Sequence, residues 1–66
     1  MSNILKKHII KLNKSLDEGA IFGRSIVEKH TGLKASRASE LIKIMYEMEL
    51  IESVKGHGKG KYRFKI

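Results

Sequence analysis

The sequence has 66 residues, enough for one domain at most, and a core of this size implies a stability of roughly 3–10 kcal/mol. It contains no cysteine, which excludes a disulfide framework and a thiolate metal site, and no apolar run approaches the about 18 residues of a membrane span. Fourteen lysines and arginines oppose seven acids, and the net charge of +7 favours a polyanionic partner over a role in solubility alone.

The first predicted helix follows a cap at Ser2 or Asn3 and ends near Ser15 or Leu16. Its apolar stripe, at helical spacing, comprises Ile4, Leu5, His8, Ile9, Leu12 and Leu16. His8 is interpreted as a core-edge histidine, since no second ligand is spaced for a metal. A row of lysines is interpreted as a solvated face in preference to a phosphate-binding one. This row is Lys7, Lys11 and Lys14.

The apolar residues of this N-terminal stretch are interrupted every few positions, which is not the pattern of a signal peptide. We therefore expect a cytoplasmic protein, associated with the nucleoid if the source is bacterial.

Residues 20–22 are apolar but too few for a helix, and they are predicted to form a small strand beside a C-terminal hairpin. Gly23 then caps a short second helix that buries Ile26 and Val27. Its exposed positions are predicted to be Arg24, Glu28 and Lys29.

The third predicted helix, over residues 34–48, carries the strongest functional pattern. A turn over residues 30–32 precedes it, in which Gly32 tolerates a positive φ, and Leu33 fixes this turn to the core. One side of this helix, at helical spacing, comprises Ala38, Leu41, Ile42, Met45, Met48 and Glu49. The opposite side comprises Ser36, Glu40, Lys43 and Glu47.

The exposed N-terminal positions of this helix are short or charged side chains that can approach base edges and phosphates. They are Lys34, Ala35, Ser36, Arg37, Ser39, Glu40 and Lys43. Arg37 suits a guanine edge or a phosphate, whereas Lys43 is expected to meet the backbone. Glu40 would repel phosphate unless it accepts from a cytosine amino group or holds Arg37 or Lys43 in place.

The C-terminal segment, residues 55–66, contains five basic residues and no acid. Tyr62, Phe64 and Ile66 alternate with Lys61, Arg63 and Lys65, which is the pattern of a strand buried on one face. The glycine-rich tip between the strands is typical of a backbone that approaches another surface closely. A dinucleotide-binding loop is excluded, because the glycines of such a loop open a helix, whereas the glycines here join two strands. No nucleophile, base and orienting group can be assembled, so we expect neither an enzyme nor a cofactor.

The run TGLKASRASELIKIMYEMELIE, followed by KGHGKGKYRFKI, resembles the winged helix-turn-helix superfamily over nearly the whole chain. In size and layout it is similar to the small FaeA/PapI-like regulators of fimbrial genes and to the winged-helix tails of Fic-like and RecG-like proteins. The resemblance implies one α+β domain over residues 1–66, with three helices, a small antiparallel sheet and a C-terminal β-hairpin wing.

Two positions depart from the superfamily pattern. Glu49 stands where such domains often have glycine, and a glutamate at positive φ costs on the order of 1 kcal/mol, so the helix is expected to end differently. Lys34 stands where a serine or threonine cap is usual, and Ser36 could cap instead and shorten the helix.

The favoured function is binding of double-stranded DNA by a small transcriptional regulator, with helix 34–48 in the major groove and wing 55–61 on phosphate or the minor groove. The candidate DNA-binding residues are Arg24, Lys34, Ser36, Arg37, Ser39, Glu40, Lys43, Lys55, His57, Lys59 and Lys61.

Two alternative functions and the assembly state stay open. The first alternative is a protein-interaction module that uses Ile44 and Tyr46. The second is RNA binding, which is less favoured because Tyr62 and Phe64 are assigned to the core. The sequence leaves open a homodimer or a larger protein partner, and no membrane partner is expected.

Overall fold

In the part of the chain that the structure describes, three helices followed by a two-stranded antiparallel sheet form the α+β fold that the sequence predicts, a layout consistent with a winged helix. The computed structural model describes residues 3–56 and 60–65. Its elements are α1 (Asn3–Ser15), α2 (Arg24–Thr31), α3 (Ala35–Glu47), β1 (Ile51–Ser53) and β2 (Tyr62–Phe64). The predictions for Ser2, His57, Lys59 and Ile66 lie outside the described residues. In the described part of the chain no helix has the length and apolar character needed to cross a membrane.

Helix α1 packs on the core through the stripe predicted for it, with one exception. Leu12 is fully buried, and its neighbours along the stripe are partly buried against the core. Those neighbours are Leu5, Ile9 and Leu16. The prediction for Ile4 is wrong, because this side chain is 68% exposed. Ile4 immediately precedes Leu5, and a step of about 100° along a helix turns it off the buried face.

The turn between α2 and α3 is shorter than predicted, because His30 and Thr31 continue α2. The Thr31 hydroxyl donates to the Val27 carbonyl at 2.6 Å and accepts from the Leu33 N–H at 3.2 Å, which fixes the helix end. Gly32 follows in the left-handed region, at φ 78°, and its N–H donates to the Glu28 carbonyl at 2.8 Å. A positive φ at this position favours glycine, as the sequence predicts.

Helix α3 begins directly after Lys34, so the alternative in which Ser36 caps a shorter helix is wrong. Lys34 is extended, at φ −80° and ψ 168°, and its carbonyl accepts from the Ala38 N–H at 2.8 Å. This first backbone hydrogen bond closes the initial turn without a side-chain cap. The buried positions of α3 are Ala38, Leu41, Ile42 and Met45, as predicted.

The C-terminal end of α3 adopts the left-handed turn that its glutamate was expected to prevent, so that expectation is wrong. Glu49 has a φ of 60°. Its N–H donates to the Tyr46 carbonyl at 3.0 Å, and the Leu50 N–H donates to the Met45 carbonyl at 2.9 Å. This pair of bonds is a Schellman motif, which satisfies carbonyls that a helix end otherwise leaves free and outweighs the strain. Because the helix ends here, Met48 and Glu49 are exposed, although helical spacing puts them on the same side as the buried residues.

Replacing Glu49 by glycine is expected to stabilise the fold by about 0.5–1 kcal/mol, because glycine removes the strain of the left-handed backbone. The greater conformational freedom that glycine gives the unfolded chain offsets part of this gain. Glu49→Ala is the matched control: it keeps the β-carbon and also loses the weak ion pair with Lys65, whose Nζ lies 4.0 Å from Glu49 Oε1. Urea denaturation followed by circular dichroism measures the free energy of unfolding of both variants. Equal stability of the two variants would contradict a strained turn.

The hairpin packs on the helices through its aromatic side chains. Ile51 pairs with Phe64, and Ser53 pairs with Tyr62. Tyr62 and Phe64 are half-buried, whereas Arg63 is exposed, so the predicted alternation is confirmed for the described residues. The core beneath comprises Leu12, Phe22, Val27, Ala38, Leu41, Ile42, Met45 and Ile51.

The small strand predicted over residues 20–22 is reduced to a single bridge between Phe22 and Tyr62. Two backbone hydrogen bonds form it, each 2.8 Å long, with each residue donating to the other's carbonyl. The Phe22 ring is 1% exposed and stacks on Phe64 with 5.4 Å between ring centroids. This bridge attaches β2 to the start of α2.

Candidate nucleic-acid interface

A surface cleft of about 430 Å³ lies where α2, α3 and the hairpin meet. Its lining comprises Gly23, Arg24, Ser25, Ser39, Ile42, Gly60, Lys61 and Tyr62. Three of the predicted DNA-binding residues therefore come together here from three different elements: Arg24, Ser39 and Lys61. The cleft offers two cations, two serine hydroxyls, one tyrosine and glycine backbone, a set that suits an anionic ligand better than an apolar one.

Gly23 allows the base of the hairpin to pack directly on the start of α2. A β-carbon at this position would lie 3.0 Å from the Gly60 carbonyl oxygen and 3.3 Å from Lys61 Nζ. The φ of Gly23, −133°, is open to any residue, so space and not backbone conformation calls for glycine here. The Lys61 ammonium consequently sits over the N-terminus of α2.

The N-terminus of α2 is electropositive in several independent ways. It has no side-chain cap, and its first turn contains no acid. The partial positive charge of the helix N-terminus therefore adds to the charges of Arg24 and Lys61. Arg24 is partly neutralised, because its Nε lies 3.4 Å from Glu28 Oε2, one turn along the helix. Free backbone N–H groups beside a cation are the chemistry that recognises phosphate oxygens.

The outer face of α3 presents short polar and basic side chains next to this cleft. Lys34, Ser36, Ser39 and Lys43 are all exposed. Neither lysine has a carboxylate partner within residues 3–56 and 60–65. The small side chains at the start of α3 allow its backbone to come close to a partner surface.

Arg37 and Glu40 lie on a different flank of α3 from the cleft. They line a depression beside α1, together with Leu5, His8, Leu33 and Leu41. Arg37 Nη1 lies 3.4 Å from Glu40 Oε2, so of the two cations considered for Glu40 it is Arg37 that the carboxylate contacts. The pair is well exposed, at 73% and 57% of the side chains, and pairs of this kind hold weakly. Arg37 is therefore free to turn toward a ligand at little cost.

Among the described residues, all the arginines are ion-paired, whereas several lysines are not. Each of the three arginines contacts a glutamate, and Arg63 makes the shortest contact, 2.7 Å from its Nε to Glu52 Oε2. Lys55 and Lys61 are exposed and have no carboxylate partner in the described part of the hairpin. The unneutralised charge near the cleft is thus carried by lysine.

Sequence reasoning missed Gly23, Ser25 and Gly60 as members of this surface. Gly23 could have been identified from the sequence, because a glycine before a helix that lacks an acidic first turn indicates an uncapped N-terminus.

Among the described residues no group of three or more His, Asp or Glu side chains could hold a metal ion. Comparison of the chain with protein-family models, with curated proteins and with solved structures found no match.

Proposed function

We propose that the chain is a winged helix-turn-helix protein that binds double-stranded DNA as a small transcriptional regulator. In this proposal α3 enters the major groove, and the hairpin and the start of α2 contact phosphates. The observation that carries it is the cleft in which Lys61, the uncapped N-terminus of α2 and Ser39 of α3 converge.

The shape of α3 supports this proposal. The major groove of B-DNA is about 12 Å wide and admits one helix. The exposed face of α3 carries short side chains near its start, at Ala35, Ser36 and Ser39. Lys43 lies a turn further along the helix, where the sugar–phosphate backbone would run. Arg37, on the α1 flank, would reach a base edge or a phosphate on the far side of the groove after leaving Glu40.

A protein-interaction module is the second candidate, and Tyr46 favours it. Its ring is 52% exposed on α3 and contacts Tyr62 edge-on, with 6.3 Å between centroids. Ile44, the other residue in that hypothesis, is half-buried and offers little apolar surface. RNA binding has less support, because Tyr62 and Phe64 are half-buried and pack with Phe22, which leaves their rings poorly placed to stack on an unpaired base.

The test is a fluorescence-anisotropy titration with a random-sequence duplex, beside a single-stranded RNA of equal length. We expect the duplex to bind more tightly than the RNA. Lys61→Ala is expected to weaken duplex binding about threefold to tenfold, as for the loss of one phosphate contact. The matched control is Lys65→Ala, which removes an equal charge from a residue outside the cleft.

The two variants separate the proposal from its alternatives. Equal losses with Lys61→Ala and Lys65→Ala would indicate attraction by net charge alone. No binding of the wild-type protein to the duplex at low salt would contradict the DNA proposal. In that case Tyr46 would become the first position to replace in a search for a protein partner.

A further inference from the structure

A second groove lies between α1 and the end of α3, and it shares no residue with the cleft. This α1 groove has a volume of about 470 Å³ and is lined by Asn3, Lys6, Ile9, Ile10, Met48 and Leu50. Ile10 is 44% exposed and Met48 is 49% exposed, while Ile9 and Leu50 pack against the core beneath them. Two large apolar side chains thus stand beside each other in solvent over an apolar floor.

The charged side chains that line the α1 groove and the depression beside it are all lysines. Helix α1 contains four lysines and no acid. Lys6 lines the groove itself, and Lys7, Lys11 and Lys14 line a neighbouring depression that shares Ile10 with it. None of the four has a carboxylate partner within residues 3–56 and 60–65. Glu47 and Glu49 flank Met48 in sequence but do not line the groove, and Glu49 contacts Lys65 on the hairpin side.

This combination argues for an acidic partner. A second copy of the chain would bring two lysine-rich α1 helices together without an acid on either, which like-charge repulsion disfavours. Nucleic acid would satisfy the lysines but would leave Ile10 and Met48 without an apolar contact. A helix with apolar residues on one face and carboxylates beside them would satisfy both features at once.

We propose that the α1 groove binds an acidic amphipathic helix of a partner protein. Apolar side chains of that helix cover Ile10 and Met48, and its carboxylates meet Lys6, Lys7, Lys11 and Lys14. Because the α1 groove and the cleft have no residue in common, occupation of one leaves the other open. The proposal therefore stands or falls separately from DNA binding.

The experiment uses the full chain, isotopically labelled for NMR, and a synthetic helical probe peptide. The peptide carries leucine at positions i, i+3, i+4 and i+7 and glutamate beside them, and a second peptide has glutamine in place of glutamate. We expect the acidic peptide to shift the amide resonances of Ile10, Met48 and Leu50 and to leave those of Ser39 and Lys61 unchanged. The glutamine peptide is expected to bind at least about tenfold more weakly, because it lacks the charges that the lysines attract.

Two isoleucine variants make the test specific to the groove. Ile10→Asn is expected to weaken peptide binding about tenfold or more, as for an apolar residue at an interface centre. Ile21→Asn is the matched control, since Ile21 has a similar exposure, 41%, and lies outside the groove. Circular dichroism verifies that both variants are folded.

Several outcomes would overturn the proposal. They are equal binding of the glutamine peptide, amide shifts confined to the cleft, and no binding at millimolar peptide. A dimer in sedimentation that Ile10→Asn abolishes would assign the groove to a second copy instead. Duplex DNA that shifts the α1 amides and displaces the peptide would assign it to nucleic acid.

Discussion

Alanine in place of Phe22 is expected to lower the free energy of unfolding by about 3–5 kcal/mol, the usual cost of emptying a phenylalanine site in a core. Phe22 is 1% exposed, stacks on Phe64 and lies 6.3 Å from the Tyr62 ring, centroid to centroid. Its loss therefore removes the contacts of this ring with both aromatic residues of β2. Against a total of roughly 3–10 kcal/mol, such a loss leaves much of the protein unfolded.

Urea denaturation, followed by circular dichroism, measures this effect. Ile21→Ala is the control, because the neighbouring side chain is 41% exposed and its removal should cost less than about 1 kcal/mol. Phe22→Leu, which keeps most of the volume, should lie between the two. A loss below about 1 kcal/mol for Phe22→Ala would mean that the hairpin does not depend on this ring.

Raising the salt concentration from about 50 to about 200 mM is expected to weaken duplex binding roughly a thousandfold, if five or six phosphates are neutralised. The logarithm of the binding constant should then fall with the logarithm of salt at a slope near −5, by release of condensed counterions. The lysines placed to contribute include Lys34, Lys43, Lys55 and Lys61, all exposed and without carboxylate partners among the described residues.

The slope can be assigned to the cleft by comparing two lysine variants. Lys61→Ala should reduce its magnitude by about 1, which corresponds to one phosphate contact. Lys7→Ala removes a charge of the same type from α1, which the proposed DNA-binding surface does not use, and should leave the slope unchanged. A flat salt dependence of the wild-type protein would exclude phosphate contacts as the source of binding.

Local patterns in the sequence predicted the elements and most of the core. The helical spacing of Ala38, Leu41, Ile42 and Met45 is a local property, and all four are buried as predicted. The errors fall at element ends, where several backbone arrangements compete. Glu49 shows why: its side chain disfavours a left-handed turn, yet hydrogen bonds that involve Tyr46 and Leu50 make that turn the stable one.

The candidate site was less predictable than the fold, because it depends on contacts between distant parts of the chain. Helical spacing alone could have placed Arg37 on the flank of Leu41, its neighbour one turn later, and so nearer to α1 than to the hairpin. No local pattern could show that Gly23 lies against Gly60, since their approach depends on the docking of the hairpin. The cleft therefore follows from tertiary packing.

The bridge between Phe22 and Tyr62 also bears on the order in which the protein folds. Helices α2 and α3 are adjacent in the chain and can meet early, whereas the bridge must close a loop that contains both of them. We expect the hairpin to dock after the helices have assembled. A growing polypeptide would thus form α3 before the cleft, and the phosphate contacts proposed for the cleft would become possible only in the final step of folding.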